Sequence, residues 1–284
     1  TLVEVLKRQN PKRSKQESDH LDKISNGAFT VTTGHQLMVC GGSAFFEVKI
    51  ASTIALAKTL SEDLQHPVIP VFWMASEDHD FEEIASFEIN GQIFTWKHEP
   101  VGGPVGRMLT KDLALQLEAF VAEVDLNDAQ RVMLLSRVEA YKSEPNLSSA
   151  TRRIVREWAK DLGILVLDGD DVQLKEYASH LWDKELLGEL GKEIKSQTIK
   201  LEDAGYKAQV FPREVNLFSL EDDTRTRIET INHRVSPVNT SPNALVRPIF
   251  QEYVLPNLAY IGGGGELAYW LQLSSTFEML EITM

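Results

Sequence analysis

Along the chain the apolar positions change period, and each change marks an element. Thr1 to Asn26 is polar, basic then acidic, and reads as a helix followed by a surface connection. Ala28-Phe29-Thr30-Val31-Thr32-Thr33 is β-branched and aromatic, a strand by propensity. A glycine-bracketed turn follows from Gly34 to Gly42. Phe45, Phe46, Val48, Ile50, Ile54, Leu56, Ala57 and Leu60 then recur as on a long, largely buried helix, which ends before His66-Pro67. The continuous apolar run Val68 to Ala75 suits a strand covered on both faces. Strand, turn, helix and strand make a βαβ unit, whose crossover is right-handed and whose ligands gather at the carboxyl ends of the strands.

Beyond it, alternation around Asn90-Gly91 predicts a hairpin over Phe87–Trp96 with a type I′ turn. Gly102-Gly103-Pro104 is a loop. Helices are predicted over Lys111–Val124, Asn127–Lys142 and Ser148–Leu162, then a strand over Ile164–Leu167. Asp171 to Gly205 reads as helical, and Lys207 to Thr240 alternates like antiparallel strands with a turn at Glu221-Asp222-Asp223. The apolar pattern resumes at Ala244. Asn257 to Gly265 reads as strand then glycine loop, and Glu266 to Met279 as helix. The fold class expected is α/β, a parallel-sheet core from residues 1–90, 145–180 and 241–284, with α+β connecting insertions at 91–144 and 181–240.

Composition narrows the chemistry. A net charge of −13 disfavours nucleic acid as a partner, since neutralising phosphates needs surplus Lys and Arg. The single cysteine, Cys40, rules out an internal disulfide framework and fits a cytoplasmic setting. No apolar run approaches the roughly 20 residues of a membrane-spanning helix. The start at Thr1 and the strand-like Glu281-Ile282-Thr283-Met284 suggest a fragment of a longer protein.

Four groups of residues could carry chemistry. The Gly34–Gly42 turn, with Thr33, Gly34, His35, Gln36, Gly41 and Gly42, opens a helix and is either an anion site or an ordinary tight turn. It matches neither the Walker pattern nor the dinucleotide fingerprint. Glu77-Asp78-His79-Asp80 follows a buried strand, where ionisable groups need a cleft, a metal or one another. His79 could act as a general base, and the alternative is an acidic helix cap. A divalent metal is an option there, although no second His or Cys cluster accompanies it. Asn243, Arg247, Gln251 and Glu252 share a face if helical, but Pro248 makes that segment a poor continuous helix. Arg247 suits a carboxylate or phosphate, or else a salt bridge with Glu252. Gly262, Gly263, Gly264 and Gly265 exceed what turn geometry needs, which points to close backbone approach by a ligand, with Glu266, Tyr269 and Trp270 on the following turns. Cys40 reads as inert.

Three blocks carry a resemblance. Thr33-Gly34-His35-Gln36-Leu37, the stretch Val68–Asp80 with Phe81–Ile84, and Leu245–Trp270 are similar, in collinear order, to the bacillithiol biosynthesis cysteine-adding enzyme family (BshC). The chain departs from that pattern at Ser43 and Gly264, where proline is expected, and at His35, where many relatives carry glutamine. The resemblance implies a Rossmann-like core of the class I nucleotidyl-enzyme type. It also implies a C-terminal coiled coil, absent here, that makes a homodimer. The implied activity is a ligase joining L-cysteine to glucosaminyl-malate; the family pattern does not fix how the carboxyl group is activated, and ATP or another adenine nucleotide is the working expectation. On that reading Glu77, Asp78, His79 and Asp80 bind the cysteine ammonium or shuttle its proton, the glycine loops hold nucleotide or carboxylate, and Arg247 orients a substrate carboxylate. The rival reading is a non-catalytic small-molecule-binding protein of the same fold. A nicotinamide-dependent oxidoreductase is disfavoured by the glycine spacing.

Overall fold

The computed structural model describes residues 1–284 except Lys12, Pro100, Val101, Lys160, Asp222, Asp223 and 232–234. The chain opens with α1 (Leu2–Gln9) and α2 (Lys15–Ser25), then β1 (Phe29–His35), α3 (Ala44–Asp63) and β2 (Val68–Met74). A one-turn helix α4 (Phe81–Ile84) and the hairpin β3–β4 (Ser86–Ile89, Gln92–Thr95) follow. Helices α5 (Lys111–Glu123), α6 (Asp128–Ser143) and α7 (Leu147–Trp158) lead to β5 (Leu165–Asp168). Next come α8 (Val172–Tyr177), α9 (Ser179–Leu186) and α10 (Glu189–Asp203), then β6 (Leu217–Glu221), β7 (Thr224–Arg227) and β8 (Thr240–Pro242). The chain finishes with α11 (Val246–Val254), β9 (Asn257–Tyr260), α12 (Gly264–Trp270) and α13 (Ser274–Met279).

Strands β5, β2, β1 and β9 form a parallel sheet in that order, with Phe29 opposite Val68 and His35 opposite Met74. This is the α/β, Rossmann-like arrangement expected. Every residue of β2 is buried because the sheet is covered twice. Phe72 and Met74 face a core built with α3, α5, α6 and α7, whereas Ile69, Val71 and Trp73 face one built with α1, α2, α9 and α11. In chain order the parallel strands lie 3-2-1-4, so the direction of progress reverses between β1 and β9. A crevice opens at such a reversal, on the carboxyl side of the strands.

The βαβ unit, the hairpin and α5–α7 follow the sequence reading within a few residues. In the hairpin turn Asn90 and Gly91 take φ of 50° and 73°, as a type I′ turn needs. Four readings are corrected. Thr1–Asn26 holds two helices rather than one and a connection. A capping box at Ser14 and Glu17 starts the second, and Val5, Leu6, Leu21 and Ile24 bury its apolar side with that of the first. Pro248 does not break α11, since it lies in the first turn, where its missing N–H has no intrahelical partner to lose. The helix expected over Glu266–Met279 begins at Gly264 and is split by a tight turn at Leu271–Leu273. Residues 281–284 are not in a strand; Glu281 adopts φ of 55°. Antiparallel pairing between 207 and 240 is confined to β6, β7 and β8, and Asp222-Asp223 of the expected turn lie outside the described residues.

Candidate active site

The carboxyl ends of β1 and β2, the starts of α11 and α12 and the three-stranded antiparallel sheet β6–β8 line a cavity of about 470 Å³. Of the residues singled out in the sequence, Gly34, His35, Gln36, Glu77, Asp78, Asn243, Arg247, Glu266 and Tyr269 line it. The first glycine turn, the acid-rich segment and, from the region after β9, Glu266 and Tyr269 of α12 therefore meet at one place, while Gly262–Gly265 are not among the lining.

Arg247 projects from the first turn of α11. Its Nη1 donates to Gln251 Oε1 at 2.9 Å, its Nη2 approaches the Tyr269 hydroxyl at 3.4 Å, and its guanidinium lies 5.8 Å from the Tyr260 ring centre. Among the described residues no carboxylate stands within ion-pair distance of it. Of the two alternatives raised for Arg247, the salt bridge with Glu252 is not formed; Glu252 Oε1 accepts from the Gln251 and Asn257 amides instead. Burial works to lower the Arg247 pKa, but Tyr260, Tyr269 and Glu266 outweigh it and hold the group firmly charged. A buried, charged guanidinium whose partners are neutral favours an anion beside it.

Glu266 is committed elsewhere. Its Oε2 accepts from Lys49 Nζ at 2.5 Å and from the Gly263 N–H at 2.8 Å, and its Oε1 accepts from the Tyr260 hydroxyl at 2.6 Å. Lys49 also donates to the Gly34 carbonyl at 2.6 Å, and the Gly34 N–H reaches the Tyr260 hydroxyl at 3.3 Å. This closed ring ties β1, α3, β9 and α12 together. Burial opposes the charge on Glu266, yet the Gly263 N–H, Lys49 and Tyr260 keep its carboxyl below its ordinary value. Burial lowers Lys49, which Glu266 only partly offsets. Gly34 is small for a local reason: a Cβ there would meet the Tyr260 hydroxyl at 3.1 Å and Arg247 Nη1 at 3.3 Å.

On the opposite wall Glu77 contacts Lys175 Nζ at 2.6 Å, Lys175 contacts Asp170 at 2.7 Å, and Arg107 grips Asp170 at 2.7 and 3.0 Å. Lys175 is fully buried; burial disfavours its charge, and the two carboxylates overcome this and raise its pKa. Asp78 accepts from the Gln36 amide at 2.8 Å and lies 3.6 Å from Arg225 Nη1. Burial pushes Asp78 up, while Gln36, Arg225 and two backbone amides bring it below its usual value. Burial lowers the pKa of His35, whose Nδ1 contacts the Gln36 carbonyl and whose ring meets Phe46 edge-on.

Other expected residues fall short of the cavity. His79 lies on its rim, 41% exposed, where Nδ1 accepts from Arg225 Nη1 at 2.8 Å. Asp80 caps α4 through the Glu83 N–H, the structural alternative raised for it. Gly41 and Gly42 take φ of 87° and 66° and pack on Phe46 and Met38, so they serve the turn itself. Thr33 Oγ1 donates to the Ile261 carbonyl, Gln251 sits behind Arg247, and Trp270 stacks on Tyr260 at 4.4 Å. Gly262 and Gly263 crowd against Tyr260 and Phe45, whereas a Cβ at Gly264 or Gly265 would meet nothing within 4 Å. Burial pushes the Cys40 thiol up to about 12, consistent with an inert cysteine.

Among the lining residues that were not singled out as candidates, Lys49, Phe218 and Arg225 bring side-chain chemistry to the cavity. Lys49 could have been found, for it falls on the buried stripe of α3 with Phe46, Ile50, Thr53 and Ala57, where an unpaired lysine would be costly. Arg225 sits on β7, stacked 3.9 Å over Phe218 and bonded to Ser241 and the Pro242 carbonyl. Of the groups expected to hold an adenine nucleotide, Arg247 lines the cavity, whereas Gly264 and Gly265, with open space around them, are not among its lining. Among the described residues no group of three or more His, Cys, Asp or Glu is placed to hold a metal ion, and no helix is long and apolar enough to cross a membrane.

Comparison with known proteins agrees with this architecture. The family model described as "Bacillithiol biosynthesis BshC, N-terminal Rossmann-like domain" matches residues 1–238 and 231–284. Proteins named "Putative cysteine ligase BshC" are similar: that of Flavobacterium johnsoniae is 37% identical over 309 residues, covering 99% of this chain and 58% of the relative. That of Flavobacterium psychrophilum is 38% identical over 310 residues, covering 99% and 57%. The counterpart from Lysinibacillus sphaericus is 28% identical over 302 residues, covering 95% and 56%. The chain thus spans a little over half the length of these relatives. With a Rossmann-like sheet, the three blocks meeting at its crevice and a family match over nearly every residue, the chain belongs to the bacillithiol biosynthesis BshC family.

Proposed function

We propose that this chain forms the substrate-binding core of a ligase that joins the carboxyl group of L-cysteine to the amine of glucosaminyl-malate. The observation that carries the reading is the polarity of the cavity. Arg247, charged and without a carboxylate partner, faces one side, and the acidic Asp78 and Glu77 face the other. Such a site suits a small molecule bearing both a carboxylate and an ammonium group. Arg247 orients a substrate carboxylate. Asp78, held ionised by Gln36 and Arg225, takes an ammonium or receives the proton that the attacking amine must lose. His79, at the rim beside Asp78, passes that proton to solvent. The bond formed is the amide C–N, and an oxygen of the cysteine carboxyl leaves.

An adenine nucleotide, when bound, supplies the activation that makes that oxygen a leaving group. Arg247 is the group lining the cavity that would hold its phosphates, and no residue given a proton-transfer role depends on it. The substrates, the nucleotide, a cytoplasmic location and a homodimer all belong to this proposal. A second reading, binding without catalysis, is favoured by one fact: Glu77 and Glu266 are each spent on a buried lysine. Mass spectrometry of the protein incubated with glucosaminyl-malate and cysteine, with and without ATP, separates the two. Product that needs ATP and disappears in Asp78→Asn supports the ligase; product undiminished in Asp78→Asn and His79→Ala removes the assigned chemistry.

A further inference from the structure

Behind Arg247 lies a chain of polar contacts that the ligase reading does not use. Arg247 Nη1 donates to Gln251 Oε1 at 2.9 Å, and Gln251 Nε2 donates to Glu252 Oε1 at 2.8 Å. Asn257 Nδ2 donates to the same Glu252 oxygen at 3.1 Å and to the Ala259 carbonyl at 3.0 Å. Asn257 Oδ1 in turn accepts from Thr30 Oγ1 at 3.0 Å and Thr32 Oγ1 at 2.8 Å. Every amide in this chain has its orientation dictated by the next. The Ala259 carbonyl can only accept, so it requires the Asn257 nitrogen, which then also reaches Glu252 and leaves the oxygen to the two threonine hydroxyls. An acceptor at Glu252 requires the Gln251 nitrogen, so the Gln251 oxygen must point to Arg247. A reversed Gln251 amide would set an N–H against the guanidinium, two donors face to face.

We propose that Glu252 is a positioning residue: it fixes Gln251, and through it Arg247, and its own charge sets how tightly the cavity takes a carboxylate. It touches no substrate, and the proposal rests on Arg247 being the carboxylate site. The neighbours of Glu252 make it the group that titrates here. From β1 and β9 come Thr30, Thr32 and Asn257, which do not ionise; on α11 itself are Gln251, the permanently charged Arg247, and Tyr253, whose ring contacts Tyr177 and His180. Burial raises the Glu252 carboxyl to about 7, the amides and Arg247 opposing only in part. Below that pH the group is neutral, Oε1 still accepts, and Arg247 faces the cavity with its charge uncompensated. Above it the carboxylate draws on the same guanidinium and competes with the ligand.

The test is calorimetric titration of the protein with L-malate and with L-cysteine at pH 6 and 8.5, in the unaltered chain, Glu252→Gln and Glu252→Leu. His35, Glu77, Asp78 and Glu266 are common to all three, so what they contribute cancels in the comparison. Unaltered protein should bind malate roughly three- to tenfold more weakly at pH 8.5 than at pH 6. Glu252→Gln keeps the acceptor without the charge and should lose that dependence, binding at pH 8.5 about as the unaltered chain does at pH 6. Glu252→Leu should weaken binding by about tenfold or more at both pH values. An unchanged pH dependence in Glu252→Gln, or unchanged affinity in Glu252→Leu, overturns the proposal. Nitrogen-15 NMR of the Arg247 guanidinium reads the positioning without any ligand: its rotation should be restricted in the unaltered chain and in Glu252→Gln, and freed in Glu252→Leu. Should neither malate nor cysteine bind while Arg247 is freed in Glu252→Leu, the carboxylate reading fails and the positioning role stands. Should Arg247 stay equally restricted in Glu252→Leu, the positioning role fails whatever binds.

Discussion

The two walls of the cavity use charge differently. Where β2 and β5 end, Glu77, Lys175, Asp170 and Arg107 form an alternating chain, and Asp168 joins Ser76 and Arg152, so each charge is balanced by a neighbour. Where β1 and β9 end, Lys49 and Glu266 balance one another and leave Arg247 among neutral groups. The first wall is built by its charges; the second has one to offer. Predicted desolvation costs point the same way, since a charge already neutralised by the protein gains little from a ligand.

The strongest challenge to this contrast is Lys175→Met. It leaves Glu77 buried without its cation and Asp170 with Arg107 alone, and should cost about 3–5 kcal/mol, read by urea unfolding at neutral pH. Arg247→Ala orphans no carboxylate, so unfolding should shift by no more than about 1.5 kcal/mol while product formation falls roughly a hundredfold. Equal effects of the two substitutions on stability would erase the distinction. Glu252, behind the second wall, sharpens it. A carboxyl whose folded pKa is raised from 4.5 to about 7 contributes stability that is complete below 4.5 and is lost as pH rises through 7. On its account stability should fall by on the order of 2 kcal/mol between pH 5 and 8; Glu185, which burial likewise raises to about 7, adds a similar slope, so Glu252→Gln should remove about half of the total. The smallest effects belong to the glycines. Gly34→Ala presses on Tyr260 and Arg247 and should cost about 1–2 kcal/mol. Gly265→Ala, in the first turn of α12 with open space around it, should leave stability unchanged or raise it by up to about 1 kcal/mol. If it nevertheless weakens ligand binding, the backbone there is where the ligand comes close.

Much of this was legible in the residues. The unbroken apolar run Val68–Ala75 and the β-branched run before Gly34 placed the two central strands. The family's three blocks placed Gly34, Asp78 and Arg247 before any coordinates did. What escaped depended on partners distant in sequence. That Glu77 would be taken by Lys175 and Glu266 by Lys49 follows from how α8 and α3 dock, which no local pattern records. The glycines misled in part: Gly41 and Gly42 satisfy backbone angles, and Gly34 makes room for two side chains of this same protein. Pro248 was read as a breaker because its offset from the start of α11 is set by where Asn243 caps the first amides.

Arg225 reaches the cavity from a sheet that shares no strand with the parallel one, and it is held by Ser241 and Pro242 of its own sheet as well as by His79 and Asp78 across from it. One side of the chamber is thus a replaceable part. Lengthening or recolouring the β6–β7 ribbon would alter what is admitted without disturbing a single strand of the floor. Substitutions that reshape the cavity would begin with Phe218 and Arg225, not with the groups that the floor itself supplies.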